Sequence, residues 1–119
     1  WRVEPGRDPR DYLHVFATAM HAPCDVDILL GTWGYLVPPG ALDGAVHDFS
    51  GWPPEVRWVD DIWISGHLAR RGVPRRVIPA RGLPIETQAS GVAALTFGLN
   101  RSGLHDRIAI EAFRPWWGG

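Results

Sequence analysis

Trp58-Val-Asp-Asp-Ile-Trp-Ile-Ser-Gly-His-Leu-Ala-Arg-Arg-Gly-Val-Pro-Arg-Arg-Val-Ile-Pro79 decides how this chain is read. Two adjacent carboxylates, Asp60 and Asp61, open a stretch whose apolar residues recur at helical spacing. Ile64 and Leu68 lie four apart and face a core together with Ile62 or Ala69. Gly72 stands where a helix ends and Pro74 just beyond it. Arg70 and Arg71 fall in the last turn, where cations suit the helix dipole. The stretch therefore predicts a helix from Asp60 or Asp61, one of which caps it, to about Arg71. A short strand, Arg75 to Pro79, follows.

Outward from this segment the pattern is mixed. Residues 1–11 read as loop, and Tyr12 to Met20 as a strand. His21 to Asp25 forms a turn. Val26 to Leu36 reads as a second strand interrupted by Gly31 and Gly34; glycine inside a strand marks a bulge or a close approach by another molecule. Val37 to Leu42 closes it, and residues 43–57 form a loop. Residues 80–90 are irregular, and Ser90 to Leu99 is strand or helix. Asn100 to Gly103 is a turn. Leu104 to Trp117 is a closing helix up to Pro115, with Ile108, Ala112 and either Leu104 or Ile110 inward. Strands and helices mix without strict alternation, which predicts one α/β or α+β domain spanning residues 1–119.

The composition narrows the function. The chain has 119 residues, room for one core, and its net charge of −1 gives no basic surface for nucleic acid. All twelve basic residues are Arg, which removes Lys-based chemistry. One cysteine, Cys24, excludes an internal disulfide and a multi-cysteine zinc site. No apolar stretch approaches the ~20 residues that span a bilayer, and no charged-then-apolar secretory leader is read within the sequence. The first residue is Trp1 rather than Met, so the chain reads as a piece of a longer protein.

Four groups of residues can carry chemistry. Asp60–Asp61 is either a cap with its neighbour or a catalytic base beside a second acid. Trp58 and Trp63 can wall a pocket in which a carboxylate's pKa rises towards a useful base. Gly31-Thr-Trp-Gly34 lets the backbone approach a ligand and can expose Trp33 as a stacking surface. Asp25-Val-Asp27 has the Asp-x-Asp form of a metal–diphosphate site, but its apolar run follows the pair instead of preceding it. Among the histidines, His67 lies on the Asp60 helix and His105 opens the last one. Either can ligate a metal or meet a phosphate. Seven tryptophans also suit sugar stacking.

The segment Asp60-Asp61-Ile62-Trp63-Ile64-Ser65-Gly66-His67-Leu68-Ala69, followed by Gly72-Val73-Pro74-Arg75 and Val77-Ile78-Pro79, resembles the carboxyl-terminal half of bacterial GT-A-type, family-2-like glycosyltransferases. Val26 to Gly34 resembles that family's strand and glycine-rich acceptor-side turn. Pro38-Pro39-Gly40-Ala41-Leu42, Leu104-His105-Asp106 and Phe113-x-x-Trp116 fall in the family's order. The resemblance covers roughly residues 26–117.

It implies a partial GT-A mixed sheet with flanking helices, its amino-terminal nucleotide-binding half lying outside the chain. It implies transfer of a sugar from a nucleotide-sugar donor to a glycan or other hydroxyl acceptor. In inverting members Asp61 would be the base, with Asp60 its acidic neighbour. Gly31, Thr32, Trp33, Gly34, Trp63 and His67 would face substrate. Mn²⁺ or Mg²⁺ would be held mainly by residues elsewhere, with His105 near it. Such an enzyme is expected in the cytoplasm, free or peripherally attached to the membrane. The competing readings are a non-catalytic carbohydrate-binding module, resting on the tryptophans, and a metal-dependent hydrolase using Asp60, Asp61 and His67 or His105.

Overall fold

Two α-helices and a two-stranded antiparallel sheet organise the described residues. The computed structural model describes residues 1–4, 12–31, 34–82 and 102–118. The expected element over Ser90 to Leu99 lies outside them, as do Thr32 and Trp33. Strand β1, Cys24–Asp25, pairs with β2, Arg76–Val77, Cys24 lying opposite Val77. Helix α1 spans Asp60–Arg70, and helix α2 spans Leu104–Ala112. The fold is α/β in this coarse sense.

Among its described residues, the expected strand over Val26–Leu36 does not form a sheet. Its backbone groups are met in other ways. The Asp27 and Ile28 amides donate to Trp1 O at 2.9 and 3.0 Å, and the Leu29 and Gly31 amides donate to side chains of α1. Among the described residues Tyr12 to Met20 likewise forms one bridge, Leu13 with Arg2, before a 3-10 turn at Ala17–Ala19. The expected loop over 43–57 contains 3-10 turns at Gly44–His47 and Pro54–Trp58.

Helix α1 begins after Val59, whose carbonyl accepts from the Ile62 and Trp63 amides at 3.1 and 3.0 Å. Val59 is the N-cap, and no side chain caps the end. Neither Asp60 nor Asp61 caps it, contrary to the sequence expectation, because Asp61 reaches away to another segment. The helix stops as expected: Gly72 adopts φ +65°, a left-handed geometry that glycine takes without steric cost. Helix α2 ends earlier than the pattern suggested. Pro115 disfavours helical backbone at Arg114, and a 3-10 turn at Arg114–Trp116 replaces the last helical turn.

The core joins Ile28, Val56, Val59, Ile62 and Trp63 to Ala109, Ile110 and Phe113. In α2 the buried residues are Ala109 and Ile110, with Phe113 at its C-cap, while Leu104 is exposed. Phe113 lies flat on α1 at Gly66, where a Cβ would collide with its ring. That glycine lets the two helices approach closely. Trp52 stacks on the same ring at 4.5 Å, and Trp63 stacks on Phe49 at 4.5 Å. Aromatic pairs in these geometries add about 0.5–1.5 kcal/mol each beyond the area they bury.

Candidate active site

The site is built where α1 meets the segment 28–31. Asp61 and Ser65 stand four residues apart on one face of the helix. Asp61 Oδ1 accepts from the Gly31 amide at 2.8 Å, and Ser65 Oγ accepts from the Leu29 amide at 3.0 Å. The helix thus grips alternate amides of a chain running antiparallel to it.

Gly31 is required by this closeness. A Cβ there would lie 2.6 Å from Tyr35 Cε1 and 2.7 Å from Asp61 Oδ1. The Gly34 amide closes a tight turn on Gly31 O at 2.8 Å, and Gly34 adopts φ +87°. The turn returns Tyr35 to the carboxylates. Gly31, Gly34, Tyr35, Asp60 and Asp61 together line an open concavity of about 440 Å³.

The two aspartates differ. Asp60 is exposed. Asp61 is half-buried, and burial pushes its carboxyl above the ordinary range. The Gly31 hydrogen bond works against that rise, while the negative charges of Asp60 and Asp106 add to it. Among the described residues, no hydrogen bond occupies Asp61 Oδ2. The arrangement supplies a held, partly desolvated proton acceptor at the edge of an open space.

Other residues expected at the site lie elsewhere. Trp63 is buried in the core, its Nε1 donating to Val46 O at 2.9 Å. His67 is 2% exposed among Trp52, Trp63 and Phe113. Helical geometry explains both. At about 100° per residue, Trp63 and His67 sit roughly 200° and 240° around α1 from Asp61. A helical projection of the sequence contains that signal. His105 lies in the first turn of α2 and does not line the concavity. Tyr35 does line it, and sequence reasoning passed over it; its place beside the Gly31–Gly34 turn was the available clue.

The Asp25–Asp27 pair is spent on structure. Asp25 meets Arg76 at 2.7 Å across the β1–β2 register. Asp27, buried, accepts the Val3 amide on one oxygen and the Gly118 amide on the other, each at 2.8 Å. It thereby ties both ends of the described chain to the core. Among the described residues no three His, Cys, Asp or Glu side chains converge as metal donors.

Most tryptophans pack inward: Trp63 is buried, Trp1, Trp52, Trp116 and Trp117 are partly so, and Trp58 is 51% exposed. Among the described residues no helix is long and apolar enough to cross a membrane.

Searches of protein-family models, of curated proteins and of solved structures find no match to this chain.

Proposed function

We propose that this chain is the acceptor-side part of a GT-A-type glycosyltransferase that moves a sugar from a nucleotide donor to a hydroxyl acceptor with inversion. One observation carries the reading. Asp61 is half-buried at a concavity, one oxygen is fixed by the Gly31 amide, and burial raises its carboxyl towards the range of a working base. The resemblance of Asp60–Pro79 to that family supports the same assignment.

In this reading the acceptor oxygen attacks the anomeric carbon and forms the new glycosidic bond. The bond from that carbon to the diphosphate oxygen breaks, and the nucleoside diphosphate leaves with its electron pair. The acceptor's proton passes to Asp61 Oδ2. The Gly31 amide keeps the carboxylate aimed, and Asp60 adds negative charge that favours the protonated product of the step. Donor binding and any divalent ion belong to residues outside the chain.

The test is nucleoside diphosphate release by the full-length natural chain with UDP- and GDP-sugars, comparing wild type with Asp61→Asn. Asparagine keeps an oxygen for the Gly31 amide but cannot take the proton. Loss of the base is expected to cost about 10²–10⁴-fold in turnover. Equal turnover would remove Asp61 from the chemistry. The carbohydrate-binding-module reading draws less support, because five of the six described tryptophans pack inward.

A further inference from the structure

Tyr35 lines the concavity beside Asp61, and no part of the proton-transfer reading uses it. Its ring lies so close to Gly31 that a Cβ on that residue would collide with Cε1. The Gly31–Gly34 turn fixes that position: the Gly34 amide bonds back to Gly31 O, and the φ of +87° at Gly34 is one that side-chain-bearing residues rarely adopt. The chain thus spends two glycines on placing one aromatic ring beside Asp61.

We propose that Tyr35 sets acceptor specificity: its ring is the wall on which the apolar face of an uncharged sugar ring lies while that sugar's hydroxyl meets Asp61. The inference rests on the reading of Asp61 as the base and adds the substrate class. The C–H face of a pyranose is apolar and matches an aromatic face, whereas its rim carries hydroxyls. Tyr35 and Asp61, meeting at Gly31, present that same pair of surfaces. The remaining lining is glycine backbone and Asp60. No basic side chain is among the described lining residues. An acceptor bearing a carboxylate or phosphate would meet two acidic groups with no cation among those residues to offset them. Burial, reinforced by Asp61 and Asp60, holds the Tyr35 phenol above its ordinary pKa. It therefore stays neutral and able to donate a hydrogen bond to a sugar oxygen.

The experiment uses matched probes, p-nitrophenyl glucoside, galactoside and mannoside against p-nitrophenyl glucuronide. Binding to the full-length chain is read by saturation-transfer NMR, and transfer by nucleoside diphosphate release. At least one neutral glycoside is expected to bind, with the glucuronide at least tenfold weaker. Tyr35→Leu, which keeps bulk but loses the aromatic face, is expected to weaken the neutral probe about tenfold. Tyr35→Phe should stay within threefold, and circular dichroism confirms that each variant is folded. Acceptor KM should rise in Tyr35→Leu with kcat little changed, which a purely structural role would not produce. Asp60→Asn should narrow the gap between glucoside and glucuronide. Failure of all neutral probes to bind, equal binding of the glucuronide, or no effect of Tyr35→Leu each overturns the proposal. Any of these combined with a large loss of turnover in Asp61→Asn leaves the base assignment standing. Unchanged turnover in Asp61→Asn removes that assignment itself.

Discussion

Asp61 and Gly31, thirty residues apart, are joined by a 2.8 Å hydrogen bond in which the helix carboxylate accepts the amide of the facing chain. The bond spends on a tertiary contact a side chain that would otherwise cap its own helix. Val59 begins α1 with no side-chain cap, and an absent cap typically costs a helix about 1 kcal/mol. The carboxylate is also half-buried beside a second acid. Local stability has been given up at this point, a common trait of sites shaped by function.

Asp61→Asn should therefore be more stable than wild type at neutral pH. The folded-state pKa of Asp61 lies above its unfolded value. The folded chain binds this proton more tightly, so the contribution of Asp61 is favourable below the ordinary carboxylate pKa and is lost as pH rises through the folded value. At pH 7.5 the wild type carries the burial cost of the charge, and asparagine does not. Thermal melts should show a higher Tm for Asp61→Asn at pH 7.5, with the gap closing towards pH 4. A lower Tm at pH 7.5 would mean that the Gly31 hydrogen bond outweighs burial.

Gly31→Ala should disturb the site more than the fold. The new methyl would sit within 2.7 Å of both Tyr35 and Asp61, and overpacking of this kind costs about 1–3 kcal/mol. Tyr35 is half-buried and can move aside more easily than the carboxylate tied to the backbone. Tyr35→Ala should accordingly recover part of the lost stability in a double-mutant cycle. Additive losses in urea melts would show that the ring and the new methyl do not meet.

The sequence made α1 legible because its signals agree. Leu68 and Ile62 are buried, Ile64 packs against the core only partly buried, and Gly72 ends the helix with a positive φ as the pattern predicted. The β2 segment was also placed, although only Arg76–Val77 pairs. The strand expected at 26–36 failed for a physical reason: an apolar extended run looks the same whether a strand or a helix satisfies its amides. Nothing in Ile28-Leu29-Leu30 announces that Ser65 Oγ will take the Leu29 amide. The closing helix was phased only in part: Ile110, the alternative to Leu104, is buried, but Ile108 and Ala112 are only partly so, and Ala109 and Phe113 carry the rest of its burial. Asp60 and Asp61 were found because acids at a helix entrance stand out. Trp63 and His67 were placed at the site through sequence nearness, against the turn of the helix. Tyr35 was missed because a single tyrosine beside glycines has no distinctive spacing.

Gly66→Ala should be among the most damaging single substitutions in α1. Alanine is ordinarily the better helix residue, by about 1 kcal/mol. Here its methyl would occupy the space of the Phe113 ring. Phe113 is fully buried and also contacts Trp52, so the ring cannot yield without moving α2. The steric cost should exceed the propensity gain, for a net loss of about 1–3 kcal/mol. Phe113→Leu in the same chain should restore part of it. A Gly66→Ala protein as stable as wild type would mean that the two helices are not in close contact here.

His67 should make the fold acid-sensitive. The imidazole is enclosed by Trp52, Trp63 and Phe113, and among the described residues its buried Nε2 has no hydrogen-bond partner. Burial lowers its pKa and the Arg70 charge lowers it further, while Asp43 opposes both. Asp43 is itself held by Arg71 at 2.8 Å, which limits what it can offer an imidazolium. A depressed folded-state pKa gives stability that is complete above the unfolded value of about 6.5 and is lost as pH falls through the folded value. Tryptophan fluorescence melts should show a steeper fall in Tm between pH 7 and pH 5 for wild type than for His67→Phe, where nothing titrates at that position. Asp61 works in the opposite direction at lower pH, so the comparison is cleanest above pH 5. Parallel slopes for the two proteins would show that the histidine takes its proton without strain inside the aromatic cage.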